Sequence, residues 1–148
     1  MSTTKDTVRL LCKSIVTHLE NDKSISFPPR LRQIVGDEVF GLVGPYILTE
    51  EDLRERALAK VGAKIDSAQV AGFAESDQFK AAKAVVRQSF GDDELNGFFF
   101  QKSIKFVAQT IAQYLMRSSH IDEVYETDDD LEKQIVESVK GFNPANQH

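Results

Sequence analysis

The chain has 148 residues, 41% of them apolar and 28% charged, which suits one packed core and is too apolar for a disordered segment. No apolar run reaches the ~18–20 residues that span a bilayer, no hydrophobic stretch with a cleavage site follows Met1, and the single cysteine, Cys12, cannot form an internal disulfide. These features point to a cytoplasmic protein without a membrane partner, and the net charge of −5 argues against generic nucleic-acid binding.

The charge is uneven. Residues 1–52 carry six Lys and Arg against eight Asp and Glu, residues 53–90 carry seven against four, and residues 91–148 carry five against eleven. A basic island therefore lies between two acidic ends.

In chain order, the first predicted helix covers about Lys5 to Asn21, with Val8, Leu11, Cys12, Ile15, Val16 and Leu19 on one stripe. Cys12 falls on that stripe and reads as a buried structural thiol. Pro28-Pro29 force an extended entry and then favour initiation of a second helix, about Arg30 to Val43. Its expected inward residues are Leu31, Ile34, Val35, Val39 and Leu42. Gly36, Gly41 and Gly44 weaken it intrinsically, so it depends on packing or permits close approach of a neighbour.

Thr49 is a good N-cap for a third helix running to about Val70, with Glu50, Glu51 and Asp52 in its first turn. A fourth starts near Ser76 and ends at Gly91. The fifth and longest is predicted from Asp92 to about Arg117, and a sixth, capped at Thr127 or Asp128, presents Leu131, Ile135 and Val139. No period-2 segment stands out, so the fold is read as an all-α, single-domain bundle of about six helices over residues 1–142. Residues 143–148 form a disordered tail.

The first and last helix pairs share an apolar spacing. Val8, Leu11, Cys12, Ile15, Leu19 and Ile25 match Ile104, Val107, Ala108, Ile111, Leu115 and Ile121 at an offset of 96. Leu31, Val35, Val39 and Leu42 match Leu131, Ile135, Val139 and Phe142 at an offset of 100. This is read as an internal repeat of residues 5–43 and 100–142, two helix hairpins flanking a central pair.

The segment Ser119-His120-Ile121-Asp122-Glu123-Val124-Tyr125, after an apolar helix with Ile111, Tyr114, Leu115 and Met116 and before an acidic cap, is the most distinctive. It resembles the bacterial family catalogued as domain of unknown function 507, whose members run a small polar residue, His, an aliphatic residue, two acids, then aliphatic and aromatic residues. Leu19, the segment from Ile25 to Phe27, and Thr49-Glu50-Glu51 before Arg54-Glu55-Arg56 resemble it too. The three phenylalanines at 98–100 and the paired prolines depart from it. The resemblance implies a helical bacterial cytoplasmic protein and brings no activity or site residues.

No catalytic, cofactor or metal set is read from the residues. His120, with Asp122 and Glu123 near it, is the best single candidate for a functional side chain, but no second histidine or cysteine stands at ligand spacing, so the expectation is that Ser119 or His120 caps the turn and the imidazole bonds a backbone carbonyl. Asp128-Asp129-Asp130 lacks the alternating ligands and turn glycine of a calcium loop and reads as charge at a helix N-terminus. Arg56, Lys60 and Lys64, and Lys80, Lys83 and Arg87, make two stripes that join into one anion-binding patch if the third and fourth helices pack antiparallel; otherwise they are solvated faces. Successive helical residues point about 100° apart, so Phe98, Phe99 and Phe100 cannot all enter one core. Leu95, Phe98 and Phe99 are then either covered by the central helices or form a contact with a protein partner or a second copy. The resulting expectation is a non-enzymatic helical interaction or regulatory protein using that contact. The alternative is a phosphate-ligand or RNA-binding regulator acting through the basic patch.

Overall fold

The computed structural model describes residues 3–60, 81, 84–85 and 94–143. Their order is helix α1 (Lys5–Asn21), strand β1 (Ile25–Ser26), a 3-10 turn (Pro29–Leu31), α2 (Arg32–Val43), β2 (Ile47–Leu48), α3 (Glu50–Lys60), β3 (Glu94–Leu95), β4 (Phe98–Phe100), α4 (Ile104–Arg117), β5 (Glu123–Val124) and α5 (Asp128–Gly141). The chain is largely helical, with short antiparallel strand pairs.

α1 forms where the apolar stripe predicts and buries all six of its members. Pro28 is extended and Pro29 opens the turn that leads into α2. α2 departs from expectation in its orientation. Val35, Gly36, Val39 and Val43 are buried, whereas Ile34 and Leu42 stay 44% and 41% exposed. The helix is apolar on most sides, so spacing alone does not choose its inner face. Its buried face lies against α1 and α4, and at Gly36 the Lys13 side chain of α1 is a near neighbour, its Cγ 3.4 Å from where a Cβ would stand. Thr49 caps α3 reciprocally with Asp52: the Asp52 N–H donates to Thr49 Oγ1 (3.2 Å) and the Thr49 N–H to Asp52 Oδ2 (2.9 Å). Thr127 caps α5 by accepting from the Asp130 N–H. The expected third helix beyond Lys60, most of the fourth, and residues 144–148 lie outside the described residues.

The all-α expectation fails at residues 94–100. The predicted fifth helix does not start at Asp92. β3 and β4 make a hairpin there, and α4 begins only at Ile104 behind the Ser103 cap. Asn96 (φ 56°) and Gly97 (φ 84°) both take the left-handed conformation of a two-residue turn, the pairing that Asn-Gly favours. β4 also pairs with β2, giving the order β2-β4-β3 with Leu48 opposite Phe99 and Ile47 opposite Phe100. Side chains alternate across a strand, so three consecutive phenylalanines serve two faces. Phe98 and Phe100 join the main core, with the Phe98 ring 5.8 Å from that of Phe142, while Phe99 packs with Leu48 and Leu53.

The first and last segments share one order, helix–strand–helix, and their strands pair with each other, Ile25 with Val124 and Ser26 with Glu123. α1 packs on α2 and α5, and α4 on α5 and α2. Leu11 and Val107, Cys12 and Ala108, Ile15 and Ile111, Leu19 and Leu115 are buried in both halves, as are Val35 and Ile135, Val39 and Val139. The strands correspond at an offset of 98 (25 to 123, 26 to 124), so the four extra residues divide equally before and after the strand. The correspondence breaks at Leu42, exposed, against Phe142, buried.

Two outcomes follow for stability. Gly97→Ala places a Cβ 2.8 Å from Thr3 Cγ2 at positive φ and is expected to cost about 1–3 kcal/mol in urea denaturation. Burial pushes the Cys12 thiol up to about 12, against a smaller opposite pull from Arg9. A folded-state value above the unfolded one, about 8.5, means that the stability it contributes is complete below that pH and is lost as pH rises towards 12. The urea midpoint should therefore fall above about pH 9, by up to roughly 1.4 kcal/mol per pH unit from this group, and Cys12→Ala should lack that component.

Candidate functional site

The positions expected to form an aromatic contact are not at the surface. Phe98 and Phe99 are 0% and 1% exposed and Leu95 is half-buried against the core, because the segment is a hairpin with both faces covered. Of the basic island, Arg56 is exposed on α3 and Lys60 is that helix's last residue, while Lys64, Lys80, Lys83 and Arg87 lie outside the described residues. The two stripes are therefore not brought together by anything described.

His120 is placed in a polar cluster, though not with its sequence neighbours. Asp122 and Glu123 are exposed and belong to the strand connection, where the Asp122 N–H donates to the Ser26 carbonyl (2.8 Å). The imidazole instead meets Glu38 of α2. His120 Nε2 lies 3.3 Å from Glu38 Oε1, and the same oxygen accepts from the Tyr114 hydroxyl at 2.8 Å. The turn that delivers His120 forms because α4 ends at Arg117 and the Ser118 hydroxyl accepts the His120 backbone N–H (3.1 Å). Capping in this turn thus falls to Ser118, while His120 reaches across to the other half of the molecule.

Tyr114 is held at about 12, chiefly by burial. Glu38 adds to the rise by accepting its hydrogen bond and by its charge, and Ser118 pulls the other way. Beside the cluster, Leu42, Thr110, Gln113, Tyr114 and Arg117 line a groove of about 370 Å³ between α2 and α4. Ile34 and Leu42 flank Glu38 one turn away on each side, and Met116, a turn from Gln113, is 41% exposed.

The corresponding corner of the other half is built differently. By the same offsets, His18, Asp22, Ser24 and Ser138 stand for Tyr114, Ser118, His120 and Glu38. Ser24 is buried and donates to Gln134, Ser138 is buried and donates to the Gln134 carbonyl, and His18 pairs with Asp22 on the surface at 3.0 Å. Phe142, the counterpart of Leu42, is covered by Phe98, and Asn96 Nδ2 donates to the Phe142 carbonyl (2.7 Å). One corner is closed; the other presents an acid, an imidazole, a phenol and open apolar side chains.

Among the described residues no three His, Cys, Asp or Glu gather to hold a metal ion, and no helix is long and apolar enough to cross a membrane. No protein-family model, no curated protein and no solved structure matches the chain. Chemically, the cluster ties the turn after α4 to α2 through one shared carboxylate oxygen. Sequence reasoning found His120 but missed Glu38 and Tyr114, whose contact spans 76 residues. The available signal was an acid, Glu38, midway between Ile34 and Leu42.

Glu38→Gln removes the charge while keeping an acceptor. Tyr114 ionisation, followed by ultraviolet titration against a Tyr114→Phe reference, should move down from about 12 yet stay above the ordinary tyrosine value, since burial remains. An unchanged titration would show that Glu38 does not act on the phenol.

Proposed function

We propose that this chain is a non-enzymatic helical interaction protein whose contact face is the outer side of α2 and its seam with α4. The observation that carries this reading is the pair of open apolar side chains on the outer side of α2, Ile34 and Leu42, 44% and 41% exposed, with Leu42 in the wall of a groove shared with Tyr114 and Arg117 and Glu38 bonded to Tyr114 beside it. Large apolar side chains grouped about a groove, with a few polar groups to orient a partner, are the ordinary make-up of a protein contact surface. The closed counterpart around Phe142 supports the reading, since the same helix position is covered in one half and left open in the other.

A non-enzymatic role fits the cluster as built. Ser118 Oγ accepts a backbone N–H from His120 rather than standing as a nucleophile on the imidazole. We also read the fold as two related helix–strand–helix units flanking a central helical segment, within a bundle of about six helices. The resemblance around His120 to the bacterial family named above gives the expectation of a bacterial cytoplasmic protein. The partner is a protein, either another chain or a second copy, and the contact lies at Leu42 and not at Phe98.

A photo-crosslinking residue at position 34 should trap one predominant protein in extract of the native cell. Leu42→Asp, at an exposed site that leaves the core intact, should abolish that crosslink with an unchanged circular dichroism spectrum. A diffuse pattern that Leu42→Asp leaves unaltered would remove the proposal.

A further inference from the structure

A second groove, about 350 Å³, lies on the opposite flank of α2, between it and α1, and it is lined by cations. Lys13 comes from α1; Arg30 and Arg32 come from the 3-10 turn and the start of α2. Neither Lys13 nor Arg30 has an ion-pair partner among the described residues. Arg32 is held in place by a two-point contact with Glu20, Nε to Oε1 at 3.0 Å and Nη2 to Oε2 at 3.1 Å. The Lys13 stem runs beside Gly36, its Cγ 3.4 Å from where a Cβ would stand. Three cations less the one charge of Glu20 leave the groove at +2. Its wall is not wholly polar: the exposed Pro29 ring lines it, with the buried Val16 behind, and the Thr17 hydroxyl adds a donor.

A groove between α4 and α5, set about one turn nearer the start of its first helix, supplies an internal comparison. It is larger, about 540 Å³, and sets Asp129, Glu132 and Glu137 against Lys105, Lys133 and Lys140, for a balance of zero. Positive charge is therefore not a general property of a helix-pair groove in this fold. Where α5 begins with three aspartates, α2 is preceded by Pro28, Pro29 and Arg30, and no acid lies in its first turn.

We propose that the α1–α2 groove binds a small phosphate monoester, its phosphate between Lys13, Arg30 and Arg32 and its organic body against the exposed Pro29 ring. The charge match selects this class, because a phosphate monoester carries about −1.5 to −2 at neutral pH. A carboxylate carries half of that. Guanidinium and ammonium donors suit its oxygens, and the exposed setting makes the interaction salt-sensitive. This inference does not rest on the α2–α4 contact face, and either can fail alone.

Phenyl phosphate is the probe, titrated into the full chain at low salt and followed by amide NMR. Saturable shifts are expected at Thr17, Arg30 and Gln33, with weaker binding of inorganic phosphate and none of phenol. The double variant Lys13→Glu/Arg30→Glu alters two exposed side chains and should weaken binding at least about tenfold, while Lys133→Glu in the other groove should leave it unchanged. Absence of saturation, or equal affinity in the double variant, would overturn the site. Equal affinity for inorganic phosphate would overturn the role given to Pro29.

Discussion

The apolar stripes of α1 and α2 close against those of α4 and α5, and neither helix pair has enough covering surface to bury its stripe alone. Leu11, Ile15 and Leu19 from one half and Ile111, Leu115, Leu131 and Ile135 from the other are essentially inaccessible, each contributing about 1.5–3 kcal/mol of burial. The β1–β5 pair fixes how the two halves meet. Two residues of each strand, joined by backbone hydrogen bonds and flanked by the Asp122-to-Ser26 and Tyr125-to-Ser24 bonds (2.8 Å each), set the register of one helical pair on the other. The strands are too short to be stable by themselves. Their value lies in alignment, and the helices on both sides supply the stability.

Once the halves are locked in this way, their differences decide which surfaces are left over. The hairpin of β3 and β4 covers the end of α5 through Phe98 and Asn96. Nothing described does the same for Leu42 at the end of α2. Likewise the start of α5 is neutralised by its own aspartates, while the start of α2 gathers arginines. Both proposed surfaces fall on α2, where the first half departs from the second. Positions that both halves share, such as Val39 and Val139, are core.

Much of the helical framework was legible because stripes at 3.6-residue spacing report burial directly when one face alone is apolar. α1 and α5 are of that kind, and Thr49 and Thr127 marked the starts of α3 and α5 by simple capping chemistry. The hairpin was not read because Phe98 to Phe100, buried on both faces, has no alternation between apolar and polar residues. Asn96-Gly97 between Leu95 and Phe98 was the turn signal that could have revealed it. The site was legible only at His120. Its partner acid and phenol are distant in sequence, and the local acids Asp122 and Glu123, which looked like companions, are turned to solvent by the strand pairing.

α2 shows why helix periodicity can mislead and still carry functional information. Val35, Val39 and Val43 enter the core, Ile34, Glu38 and Leu42 line one flank, and Arg32 and Gly36 border the other. A helix that serves only a core is apolar on one side and polar elsewhere. One with apolar residues on two flanks, and a glycine where the neighbouring helix comes closest, has more than one surface to satisfy. The weak amphipathicity that made its inner face ambiguous in the sequence is thus a consequence of its position. α2 packs on both α1 and α4, so its two flanks border different neighbours.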